Sequence, residues 1–164
     1  MDFTAVEKYV IEHREQVISL LLDYVMTDTI LFWSKDESLQ KLQKQQWLPM
    51  ITLFNKETAA DFAATCNLDI LVENEKNRSV LEIYFNNLNK KELSALYAAS
   101  ANMKSVFLGL LLAKNKIAAS EAFKKAFLEE MYQNTLWGEE EQALALREAV
   151  KKDLLDIEEY LKNG

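Results

Sequence analysis

Residues 89–114 read NKKELSALYAASANMKSVFLGLLLAK, and this stretch decides the fold. Asn89 and Glu92 stand three apart and predict a capping box, each side chain taking the other residue's backbone amide. The turns that follow are filled with Ala, Ser and Leu, so the spacing predicts one long helix to about residue 114. Ala98, Ala101, Ser105 and Gly109 fall 3, 4 and 4 residues apart, a small-residue stripe that lets a second helix approach closely.

The same periodicity runs outward in both directions. Towards the N-terminus, Thr4-x-x-Glu7 predicts a cap before Val6, Val10, Val17, Leu21 and Val25, and a helix over about 5–26. Ser34-x-x-Glu37 predicts a second start, with Pro49 interrupting that helix and opening a fresh one that stops near Asn67. Ser79-x-x-Glu82 predicts another start, before Leu81 and Phe85. Towards the C-terminus, Glu121 to Trp137 reads as a helix stopped by Gly138 in a left-handed conformation. Leu146, Val150, Leu154, Ile157 and Leu161 mark the apolar stripe of a final helix. Leu68 to Val72 is the one strand-like piece, followed by a polar loop at 73–78.

Composition agrees. The chain has 164 residues, 49% hydrophobic, with only 3 Gly and 1 Pro. So few turn formers disfavour a sandwich or barrel. The expected fold is all-α: an orthogonal multi-helix bundle with at most one short strand-like segment, forming a single domain over residues 1–164.

Several functions are disfavoured by counting. One His (His13) and one Cys (Cys66) cannot supply a four-ligand Cys/His zinc site. Phosphate-cradling glycine loops are absent from the sequence. Net charge is −7, of which residues 129–164, with 10 acidic and 4 basic residues, carry −6. No basic stripe invites nucleic acid or an anionic membrane. Neither cofactor nor metal is expected, and the protein reads as soluble, with no leader. Asp153-x-x-Asp156 reads as a solvated helix face, His13 as a surface helix residue and Cys66 as a small apolar filler.

The candidate binding residues are few. Glu129, Gln133 and Trp137 fall at i, i+4 and i+8 of one helix, beside Glu130 and Tyr132. An acid, an amide and a tryptophan on one face suit protein recognition; the plainer reading is a buried indole with Glu129 tied to a neighbour. Trp47, two residues before Pro49, reads as core or as a binding anchor. Thr27-Asp28-Thr29 reads as a helix cap or as part of a contact.

In order, Tyr24-Val-Met-Thr-Asp-Thr29, Gln43-x-x-x-Trp47-x-Pro49, Met103 to Ala113, and Glu129-Glu-Met-Tyr-Gln-Asn-Thr-Leu-Trp-Gly138 resemble the ATP synthase assembly chaperones that bind the α subunit, the mitochondrial assembly factor 2 family. The resemblance runs from about Arg14 to the final helix. It departs at Leu48, where the family often has Asp, at Phe32 and Trp33, where Tyr-Arg is common, and at Glu139 to Gln142, where a His-Asp pair is expected.

The resemblance implies the helical C-terminal domain of such a chaperone, without the β-rich domain that precedes it in typical members. It implies no enzymatic activity, a monomer, and the unassembled α subunit as partner. The partner-binding residues it implies are Glu129, Glu130, Tyr132, Gln133, Trp137, Thr27, Asp28 and Trp47. The compartment would be the cytoplasm of a bacterium or the mitochondrial matrix. The competing reading is a small helical adaptor with an unrelated partner; a metal-dependent helical enzyme comes third.

Overall fold

A computed structural model describes residues 1–66, 75–138 and 140–163. Among them the fold is all-α. The helices are α1 (Phe3–Glu12), α2 (Arg14–Val25), α3 (Glu37–Thr58), α4 (Glu75–Asn86), α5 (Lys90–Met103), α6 (Val106–Ala113), α7 (Ala119–Ala126), α8 (Leu128–Trp137) and α9 (Glu141–Lys162), with a 3-10 turn at Thr29–Leu31.

The quoted stretch forms the centre of the bundle, but as two helices rather than one. The Asn89/Glu92 capping box is present and opens α5. Lys104 then turns left-handed (φ 56°), and Ser105 caps α6 by accepting the Leu108 amide. All eight residues of α6 are buried, and the helix packs against α5, α3, α7, α2 and α9. Such a short helix cannot persist alone; burying its Leu and Phe side chains, at about 1.5–3 kcal/mol each, holds it. The small-residue stripe is therefore not one helix face: Ala101 is exposed and Ser105 is a cap. Gly109 still does what a small residue does, since a Cβ there would lie 2.4 Å from Ser100 Oγ and 3.1 Å from its backbone nitrogen.

Around this hairpin, several boundaries differ from the sequence reading for local reasons. The first helix breaks at His13 (φ −124°, ψ 34°), which is half-buried against Tyr9 at the joint and not a surface helix residue. Asp2, not Thr4, caps α1. Asp36, not Ser34, caps α3, while the Ser34 hydroxyl accepts the Asp36 amide. α3 runs straight past Pro49 and stops at Thr58, where Ala59 turns left-handed (φ 68°). Trp47, Met50, Ile51 and Phe54 are buried on both sides of the proline, and that burial outweighs one forfeited amide bond. Ser79 lies inside α4, which begins at Glu75, so residues 75–78 are helix and not loop. The helix expected over 121–137 bends at Phe127 into α7 and α8. Gly138 has the expected positive φ (85°) but an extended ψ of 170°. The strand-like segment Leu68–Val72 lies outside the described residues. A parallel bridge pairs Phe32 with Thr65, so Cys66 sits exposed beside it and fills no core.

Long-range polar ties close the bundle. Arg14 donates to the carbonyls of Asn86 and Leu88, at 3.1 and 2.7 Å, and so satisfies the C-terminal end of α4. Phe54 and Phe107 stack at 4.0 Å between centroids, with Phe62 edge-on to both. Phe3 stacks on Tyr160 at 4.2 Å and fixes α1 to α9.

Candidate binding surface

Asp28 is the buried pivot of the site. Its carboxylate accepts from the amides of Ile30 (3.1 Å), Val106 (2.7 Å) and Phe107 (3.0 Å) and from the Ser105 hydroxyl. One side chain thus caps both the 3-10 turn and α6. Burial pushes its carboxyl up to about 6, against the four donors that pull it down. Thr27 and Thr29 stand exposed on either side and form a ridge between two surface grooves.

One groove, of about 530 Å³, is lined mainly by Leu20, Tyr24, Tyr97, Ala101 and Val106. The other, about 800 Å³, is more polar and runs between the segment after the 3-10 turn and α8. Phe32, Trp33, Lys35, Cys66, Glu129 and Gln133 line it together with the two threonines. Trp33 is fixed there by its indole N–H, which donates to Ile30 O at 2.9 Å.

Gln43 anchors Glu129 from beneath. It is wholly buried; its Oε1 accepts the Ser34 amide at 2.7 Å, and its Nε2 donates to Glu129 Oε1 at 2.7 Å. Partial burial raises the Glu129 carboxyl above its ordinary range, and the Gln43 bond opposes the rise. On the other side of α8, Arg147 of α9, 4% exposed, pairs with Glu130 Oε1 at 3.2 Å. With the Asn134 amide turned so that its oxygen faces Arg147, that oxygen accepts from the guanidinium at 3.0 and 3.2 Å.

α8 is seated by these polar pairs and by Leu128, which packs partly buried against the core, and none of its residues is fully buried. Met131, Leu136 and Trp137 are exposed on it, Trp137 to 82%, and Leu144 and Leu146 are exposed on the first turns of α9. Leu146 thus falls off the predicted apolar stripe, and Arg147 takes the buried position at that turn. Exposed apolar side chains at five positions between 131 and 146 make this stretch a candidate interaction surface.

The residues singled out from sequence divide in two. Glu129, Gln133 and Thr27 meet at one groove, and Trp137 lies exposed at the far end of the same helix. Asp28 and Trp47 lie below the surface: Trp47 is 2% exposed, and its indole donates to Lys125 O at 2.9 Å, just before the bend into α8. Glu130 is turned to Arg147, and Tyr132 is half-buried. Sequence reasoning passed over Gln43 and Arg147 as site residues. Gln43 could have been found from its i, i+4 spacing to Trp47, and Arg147 from its place amid the apolar repeat of α9.

Among the described residues, no three His, Cys, Asp or Glu side chains converge to hold a metal, and no helix is long and apolar enough to cross a membrane.

Comparison with known proteins gives two findings. The family model of the ATP12 chaperone protein matches residues 1–55. The structure is similar to that of Atp12 from Paracoccus denitrificans, with a TM-score of 0.88 at 24% identity, over 96% of this chain and 68% of that one. It is also similar to a chaperone candidate from Agrobacterium tumefaciens, with a TM-score of 0.81 at 22% identity, over 93% of this chain and 59% of that one. The first 55 residues thus match the ATP12 chaperone family model, and nearly the whole chain shares the fold of these two structures.

Proposed function

We propose that this protein is a chaperone for assembly of the ATP synthase catalytic sector, and that its client is the unassembled α subunit. The observation that carries this reading is α8: it fully buries no residue, exposes Trp137, Leu136 and Met131, and carries Glu129, whose carboxyl is bonded by Gln43. The fold and the family match support the chaperone class.

The physics requires no bond-making. An orphan subunit exposes apolar surface that belongs to an interface, and such patches aggregate. A protein that covers the patch stabilises the soluble species by RT ln(1 + [L]/Kd), so the gain grows with the logarithm of its concentration over its dissociation constant. An apolar contact with an acidic rim, as the charge of residues 129–164 supplies, gives grip and leaves the complex displaceable by the next subunit. In this reading Glu129, Gln133, Tyr132, Trp137 and Thr27 face the client. Asp28, Trp47 and Glu130 hold that surface in place. The site of action would be wherever the sector is assembled, in a bacterial cytoplasm or a mitochondrial matrix.

The test is light scattering by purified α subunit with and without this protein. Suppression at near-stoichiometric ratio, with a complex seen by gel filtration, is expected. Unchanged scattering, with a different protein recovered in pull-downs, would favour the adaptor reading.

A further inference from the structure

The amide of Gln43 has only one workable orientation. The Ser34 N–H can only donate, so Gln43 Oε1 must face it, and Nε2 must face Glu129. Turning the amide over would set donor against donor at Ser34 and oxygen against carboxylate at Glu129. Because Gln43 is fully buried, water cannot repair either mismatch.

On α8 no side chain is fully buried and Leu128 packs partly buried against the core, while Glu129 stands exposed and takes its hydrogen bond from α3. The orientation of that carboxyl is set from α3. One oxygen is held inward by Gln43. The other, Oε2, makes no hydrogen bond among the described residues, and Glu129 lines the groove with Trp33 and Phe32. Lys35 lines the same groove and makes no ion pair with Glu129, so it leaves that oxygen unneutralised.

We propose that Gln43 is a positioning residue: it holds Glu129 Oε2 towards the groove, where it receives a basic side chain of the client. This rests on the chaperone reading above. Charge argues for the occupant. Residues 129–164 are strongly acidic, and a carboxylate with one oxygen already tied is preorganised to accept from a cation without first ordering its own side chain.

Three proteins test it: the wild type, Gln43→Met, and the exchange pair Gln43→Glu with Glu129→Gln. Each is assayed for melting, for protease resistance of α8, and for suppression of α-subunit aggregation. Gln43→Met keeps the volume and removes both hydrogen bonds. It should raise the half-protecting concentration roughly tenfold or more, the scale of one charge-assisted bond. The exchange pair swaps the two side chains and rebuilds the inner bond. The carboxylate, now on α3, accepts from the Ser34 amide and from the side-chain amide now on α8, which leaves only a neutral oxygen in the groove. This pair should regain wild-type protease resistance without regaining protection. Full protection by Gln43→Met overturns the positioning role. Full protection by the exchange pair overturns the basic side chain, whether or not Gln43→Met folds. A wild type that protects nothing overturns the chaperone reading instead.

Discussion

Asp28 Oδ2 accepts the Val106 amide at 2.7 Å, joining two segments 78 residues apart in sequence. The first turn of α6, whose eight residues are all buried, is thus closed from outside its own hairpin. Its upward-shifted carboxyl makes stability depend on pH. Unfolded, the group ionises near 3.8; folded, it holds its proton until about 6. Between those values the folded state binds more protons, so this group's contribution falls as pH rises from 3.8 to about 6 and is flat above. The difference corresponds to roughly 3 kcal/mol. Denaturant titrations from pH 3.5 to 8 on the wild type and Asp28→Asn isolate it: the wild type should lose more stability across that window than the variant. Identical pH dependences would mean that Asp28 titrates normally.

Gly109 makes a sharper test of the hairpin. Its absent Cβ would meet both the Ser100 hydroxyl and, at 3.1 and 3.3 Å, the backbone of Ser100 and Leu96. The hydroxyl can rotate away, but the backbone cannot. Gly109→Ala should therefore destabilise by about 1–3 kcal/mol, despite alanine's better helix propensity. A melting temperature equal to or above that of the wild type would show that α5 and α6 have room to separate.

Two tryptophans should behave oppositely. Trp47 is 2% exposed and bonded to Lys125 O, whereas Trp137 is 82% exposed. Trp47→Ala should cost about 3–5 kcal/mol. Trp137→Ala should stay within about 0.5 kcal/mol of wild type and should weaken client protection. Melting curves and aggregation assays on the pair separate the structural tryptophan from the surface one.

The same contrast shows what the sequence could convey. Amphipathic periodicity placed nearly every helix, because the apolar spacing of α3, α5 and α9 is local information. The breaks at His13, Lys104 and Phe127 were not legible, since no Gly or Pro stands at any of them. Three of the four capping boxes were wrong for a related reason. Asp2 and Asp36 stood closer to the helix starts than Thr4 and Ser34, and Ser79 had α4 already begun upstream of it. Glu129 was legible as unusual, but its pairing with Gln43 was not. The bond to Gln43 spans 86 residues, and only the fold brings its two ends together.

Glu129→Lys tests the binding surface directly. A lysine there sets an ammonium against the Gln43 Nε2 donor and reverses the charge at the groove. The bundle should tolerate it: residue 129 is exposed, long side chains turn to solvent, and α8 keeps its ties from Arg147 to Glu130 and Asn134. Far-UV circular dichroism should therefore match wild type, with a melting temperature lowered by only a few degrees, as the loss of about 1 kcal/mol implies for a domain of this size. Protection of the α subunit should disappear, because a basic client group now meets a like charge at the edge of the groove where it would have met a carboxylate. A folded Glu129→Lys protein that still keeps the α subunit in solution would remove Glu129 from the contact and leave the exposed apolar residues of α8 to carry it.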